Sequence, residues 1–140
     1  MNAIVICESL TGNTRRAGGI IAAQLAERGW NTTVCSTTDI DFAALSQADL
    51  VIVGTWTDGL VFVGQRPGGA PRLRSLPVLH GKKAVVFCTF AVNAGKTLEK
   101  LVAIVEGRGA EVVGGQTMRR DHLERSATEF VDRLVAAVPG

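Results

Sequence analysis

The chain has 140 residues, 46% hydrophobic and 20% charged, which excludes a disordered segment and suits one domain around one core over residues 1–140. A net charge of +2 with a pI near 8.6 is too weak a basic balance to argue for nucleic-acid binding. No apolar run approaches the roughly 18 residues that span a bilayer, and Met1-Asn2-Ala3 enters a strand without a charged n-region, so a cytoplasmic protein without a membrane partner is expected.

The first element is Ala3–Cys7, a short continuous apolar run of the kind that forms a strand buried on both faces. From Thr14 to Arg28, Ala17, Ile20, Ile21 and Leu25 recur at spacings of three and four, and Gly29 stands where that helix ends. Thr32–Ser36 alternates and is rich in β-branched residues, which predicts a second strand. A short helical turn follows at Asp41–Ser46, with Asp39 or Asp41 as its N-cap. Leu50–Val53 is the third strand. The stretch from Thr55 to Gly81 is irregular, with one brief helical candidate at Arg72–Leu76 among Pro67, Pro71 and Pro77. Ala84–Cys88 is the fourth strand. Residues 97–106 place Leu98, Leu101, Val102 and Val105 on one helical face, with Thr97 as N-cap and Gly107 as the stop. Ala110–Val113 is the fifth strand, and a last helix runs from Asp121 to Val138 before Pro139 and Gly140. Strands and helices alternate, so the expected class is α/β: a doubly wound, five-stranded parallel sheet in the order 2-1-3-4-5. Such a sheet binds its ligand at the C-terminal ends of the strands, beside the switch point. Cys7, Cys35 and Cys88 are too scattered for a disulfide framework and read as buried thiols.

The strongest chemical signal lies between the first strand and the first helix. In Ser9-Leu10-Thr11-Gly12-Asn13-Thr14, five residues of six are hydroxyl, amide or glycine. A strand-to-helix turn aims free backbone N–H groups at one point, the helix dipole favours an anion there, and Gly12 lets the backbone turn tightly. An ordinary helix start with Thr11 or Asn13 as N-cap would explain one or two such residues, not five. Arg15 and Arg16 follow in solvated helical positions.

Residues 9–14 resemble the phosphate loop of the flavodoxin family, Ser/Thr-x-Thr-Gly-x-Thr, at every fixed position. The resemblance implies a flavodoxin-like fold and a bound flavin mononucleotide (FMN), with its phosphate held by Ser9, Thr11, Gly12, Asn13 and Thr14. It implies a second flavin loop at Gly54-Thr55-Trp56-Thr57-Asp58-Gly59, where the indole of Trp56 stacks on one face of the isoalloxazine. It implies a third at Thr89-Phe90-Ala91-Val92-Asn93-Ala94-Gly95, whose backbone N–H groups read the pyrimidine edge. The family often stacks a Tyr there; this sequence contains none, and Phe90 is the aromatic candidate, with Phe62 or an aliphatic chain as another cover. The peptide joining Thr57 and Asp58 is the one that turns over in the family when the flavin gains one electron.

Other features bear on function. Gly95-Lys96-Thr97 is similar to the end of a nucleotide-triphosphate loop, but that motif requires Gly at position 90, which is Phe here. His80 and His122 have no ligand or triad partners at useful spacing, so neither catalysis nor metal binding is assigned. Between Thr55 and Lys83 the only acid is Asp58, against Arg66, Arg72, Arg74, Lys82 and Lys83, which predicts a local positive field. The leading functional reading is an FMN-dependent electron carrier, working between redox partner proteins that present an acidic docking face. The alternatives are a small FMN-dependent quinone or NAD(P)H oxidoreductase, or a binding module on the same fold without flavin. The apolar run Leu60-Val61-Phe62-Val63 is expected to cover the flavin edge or to join an interface; the sequence leaves open whether the chain is a monomer or a weak dimer.

Overall fold

The computed structural model describes residues 1–59 and 64–138, so the run Leu60–Val63 and the terminal Pro139-Gly140 lie outside the described residues. Strand β1 (Asn2–Cys7) starts the sheet and leads to helix α1 (Asn13–Glu27). β2 (Asn31–Ser36), α2 (Phe42–Gln47) and β3 (Leu50–Asp58) follow. A two-residue strand β4 (Arg66–Pro67) and a short α3 (Ala70–Arg74) come next. β5 (Lys83–Phe90), α4 (Thr97–Gly107), β6 (Glu111–Arg119) and α5 (Leu123–Ala137) complete the order. The parallel strands lie side by side as β2-β1-β3-β5-β6, which is the predicted 2-1-3-4-5 order counted over the parallel strands alone. The sixth strand, β4, has no counterpart in the sequence pattern; it pairs antiparallel with the end of β3, through Thr57 with Pro67 and Asp58 with Arg66.

Alternate residues of each central strand feed two cores. Val5, Cys7, Ile52 and Phe87 face α1 and α5, meeting Ile21, Leu25, Phe130 and Leu134. Ile4, Ile6, Val51 and Val86 face the other way, toward Leu45 of α2, Leu73 of α3, and Leu101 and Val105 of α4. Burial on both faces is why these strands read as continuous apolar runs. Each fully buried aliphatic chain contributes roughly 2 kcal/mol of transfer free energy. Among the described residues no helix is long and apolar enough to cross a membrane.

Several local expectations need correction. β3 does not stop at Val53 but continues through Thr57 to Asp58, and β5 continues through Thr89 to Phe90, so residues expected in loops end two strands. β6 runs to Arg119 rather than Val113, as an edge strand that tolerates Gly114-Gly115. Asp41 is the N-cap of α2, its carboxylate accepting from the Ala44 N–H at 2.9 Å. Thr97 does not cap α4: the N-cap is Lys96, and the Thr97 hydroxyl is buried without a partner among the described residues. Gly107 lies within α4, and the chain turns away at Gly109, where φ is +102°. Cys7 and Cys88 are buried as expected, whereas Cys35, on edge strand β2, is half-buried.

Candidate functional site

The turn from β1 into α1 is built around Gly12, which takes the N-cap position at φ +95°, a left-handed conformation that a side chain would strain. The first intrahelical bond runs from the Arg16 N–H to the Gly12 carbonyl at 2.9 Å. The Ser9 hydroxyl accepts from the amides of Gly12, at 3.1 Å, and Arg15, at 3.4 Å. The Asn13 side-chain amide donates to the Thr11 hydroxyl at 3.3 Å. Among the described residues, no group accepts from the backbone N–H groups of Thr11, Asn13 or Thr14. No acid stands in the first turn of α1. The helix therefore opens on free donors and positive potential. Thr14 is buried, and its hydroxyl lies 3.1 Å from that of Thr89 at the end of β5.

Sequence reasoning missed Glu8, which sits directly before this turn with its carboxylate buried. Arg72 of α3 donates to Glu8 Oε2 through Nε at 2.6 Å, with Nη2 at 2.5 Å, and the Thr37 hydroxyl donates to Oε1. The hydrogen bond to Glu8 raises the Arg72 guanidinium above its ordinary range. An unpaired buried carboxylate here would repel an anion at the turn; paired with Arg72, its field is largely cancelled. The only sequence signal was a charged residue ending an apolar run.

At the second loop, Thr55 is fully buried and its hydroxyl donates to the Gly68 carbonyl at 2.6 Å. The Gly68 N–H returns a bond to the Trp56 carbonyl at 2.8 Å. This reciprocal pair lays the bare Cα of Gly68 against one face of the Trp56 ring: a Cβ there would fall 2.0 Å from Cε2. Trp56 is thus backed on one side and half-buried. Asp58 Oδ1 accepts from the Gly59 N–H at 2.9 Å and Oδ2 lies 3.4 Å from Arg66; Gly59 turns at φ +98°.

The third loop leaves β5 after Phe90, which is half-buried. Asn93 Oδ1 accepts from the Gly95 N–H at 2.7 Å, and Gly95 adopts φ +56°. Gln65, also missed from sequence, is buried and closes the two loops together: Nε2 donates to the Asn93 carbonyl at 3.3 Å, and its own backbone carbonyl accepts from Lys100 Nζ at 2.8 Å. The tips of the first and third loops, Leu10 and Val92, are 71% and 84% exposed. All fourteen expected site residues therefore fall at the C-terminal edge of the sheet, beside the β1/β3 switch point. The expected basic cluster does not hold together. Arg72 is engaged by Glu8, and Lys82 Nζ donates to the carbonyls of Ser46 and Ala48 at 3.1 and 2.8 Å.

Residues 4–134 match the family model of the flavodoxin domain. The chain belongs to this flavodoxin domain family. Solved flavodoxins have the same fold. A variant flavodoxin from Pseudomonas aeruginosa superposes with a TM-score of 0.77 at 18% identity, over 100% of both chains. Flavodoxin 1 from Bacillus cereus gives 0.67 at 22%, over 97% of this chain and 99% of that one. The rubredoxin oxygen:oxidoreductase of Desulfovibrio gigas also gives 0.67, at 19%, with this whole chain covering 38% of its length. No curated protein sequence matches. The family supports a flavin-linked electron-transfer role for this domain.

Proposed function

We propose that this flavodoxin domain binds FMN and passes electrons between redox partner proteins. The observation that carries the reading is the head of α1, where the amides of Thr11, Asn13 and Thr14 are free of protein acceptors among the described residues, and no acid stands in the first turn. That donor set suits a phosphate, with the hydroxyls of Ser9, Thr11 and Thr14 as further neutral donors. Trp56 is half-buried with Gly68 against one face, and its other face would supply a flat wall for a conjugated ring. The backbone from Thr89 to Gly95, held by Asn93 and Gln65, offers amides to a ring edge. When bound, FMN supplies the one- and two-electron chemistry, and the chain positions it and tunes its surroundings. The exposed Leu10 and Val92 give partners an apolar rim beside the ring.

FMN titration followed by flavin fluorescence tests this reading. Thr11→Asp and Asn13→Asp each set a negative charge against the phosphate; either should weaken FMN binding by about two orders of magnitude or more while circular dichroism stays unchanged. Each lost charge-assisted bond is worth about 1.5–3 kcal/mol. Riboflavin, which lacks the phosphate, should bind far more weakly than FMN. Equal affinity in both variants overturns the phosphate assignment. Rapid reduction of the loaded protein by NAD(P)H without a reductase overturns the carrier in favour of an enzyme.

A further inference from the structure

A groove of about 670 Å³ runs between the β4–α3 segment and α4, away from the phosphate turn. Four cations line it: Arg66 and Arg74 from one wall, Lys100 and Arg108 from the other, over Ala103 and Ile104. None of its lining residues is acidic. These charges are available to a partner, unlike Arg72 and Lys82. Arg74 is exposed and makes no ion pair among the described residues; Arg108 is half-buried, and its Nε–H, shut off from solvent, has no acceptor among them, which leaves its terminal nitrogens to face a partner. Lys100 gives one bond to Gln65 and keeps two donors. The Arg66–Asp58 contact is exposed at both ends, so water and salt weaken it.

We infer that this groove is the docking surface for an acidic redox partner, whose clustered carboxylates engage Arg66, Arg74, Lys100 and Arg108. The inference rests on the electron-carrier reading and names its partner surface. Two features favour a row of carboxylates over a single small anion. Lys100 and Arg108 are two turns apart along α4 and its cap, roughly 12 Å along the axis, which spreads the positive charge over a length that several carboxylates match better than one small anion. Arg108 also follows the C-terminus of α4, where the helix dipole opposes a small, deeply seated anion. The near end of the groove adjoins the flavin loop, because Arg66 and Pro67 pair with Asp58 and Thr57. A partner seated here is one strand away from Trp56. The resulting field would speed encounter, and the rate would fall as salt rises.

The test uses a fluorescein-labelled deca-glutamate peptide, with anisotropy read at low salt on the protein with and without added FMN. Binding should weaken at least tenfold in Arg74→Glu/Lys100→Glu. It should weaken severalfold in Arg74→Glu alone, which leaves the Lys100–Gln65 bond intact. Arg125→Glu carries a charge change equal to that of Arg74→Glu on α5, which packs on the opposite face of the sheet from α4, and should leave binding unaltered. In a second arm, the second-order rate of electron transfer from a reduced, carboxylate-rich ferredoxin to the FMN-loaded protein should fall with salt and fall tenfold in the double variant. Peptide binding indifferent to the groove substitutions overturns the inference, as does a groove that takes tripolyphosphate but not the peptide. Because the anisotropy arm needs no flavin, a failure to bind FMN would overturn the electron-carrier reading and is seen separately from a failure of the groove.

Discussion

Gly68 holds the Trp56 indole from behind by lacking a side chain, and the Thr55–Gly68–Trp56 hydrogen bonds fix that contact. Gly68→Ala would drive a methyl group into the ring. The expected result is a loss of about 1–3 kcal/mol of stability, typical of overpacking, together with weaker FMN binding as the indole is displaced. Urea unfolding and FMN titration check the two effects. Trp56→Ala should instead leave room, weaken FMN binding and restore the fluorescence of any flavin still bound. The polar residues of the first loop and Trp56 were legible in the sequence because their chemistry is local: hydroxyls, glycine and a large ring at strand ends. Glu8, Gln65 and Gly68 were not, because each matters through a partner distant in sequence. Glu8 meets Arg72 of α3, Gln65 meets Asn93, and Gly68 meets Trp56 across a strand pairing that the pattern did not reveal.

The antiparallel pairing of β3 with β4 holds the Thr57–Asp58 peptide inside a short ribbon, with Asp58 also facing Arg66. Among the described residues only glycines have positive φ, so Thr57 is not in a left-handed turn. Reorienting that peptide on one-electron reduction would disturb the ribbon and set a β-branched residue in a costly conformation, roughly 1–3 kcal/mol. The two one-electron potentials of bound FMN are therefore expected to lie close together. Thr57→Gly should move them apart by easing the turn. Anaerobic photoreduction followed by absorbance measures this, and a large blue intermediate in the unaltered protein would contradict it. The same strand shows why element ends were hard to read. Gly54 and Asp58 look like loop residues, yet Gly54 is in the strand because the Phe87 ring of neighbouring β5 fills the place of its side chain: a Cβ on Gly54 would fall 2.1 Å from Phe87 Cζ. Gly115 hid part of β6 in a similar way, a Cβ there falling 3.0 Å from Val86 Cγ2. Periodicity marks buried runs well, and it loses strand ends where one face meets solvent or a glycine makes room for a neighbour.

Across the whole molecule, the order of the five parallel strands was readable because buried runs alternating with amphipathic helices admit few topologies. The free surface charge was not readable, since sequence proximity could not tell Arg74 from Arg72. The sheet also sets the alkaline limit of the fold. Burial pushes the Cys7 and Cys88 thiols from 9.0 up to about 12. The folded state then keeps protons that the unfolded chain has released. Stability from this source is complete below pH 9 and is lost as pH rises toward 12, by up to about 4 kcal/mol per thiol. Thermal melting from about pH 8 to pH 11 should show a falling midpoint, with a shallower fall in Cys88→Ala.

The bonds that complete the site also join distant parts of the chain. Thr14 and Thr89 are 75 residues apart, and Glu8 and Arg72 are 64 apart. Closing such long loops costs chain entropy before the contacts repay it, so the phosphate turn, α3 and the end of β5 are expected to come together late on the folding path. A ligand held by the phosphate turn and the end of β5 would then have nothing to grip in the transition state. FMN should leave the refolding rate unchanged and slow unfolding in proportion to its binding energy. Stopped-flow kinetics with and without FMN would show it as a chevron whose unfolding arm alone is lowered, making the cofactor a source of persistence in the folded state and not a folding template.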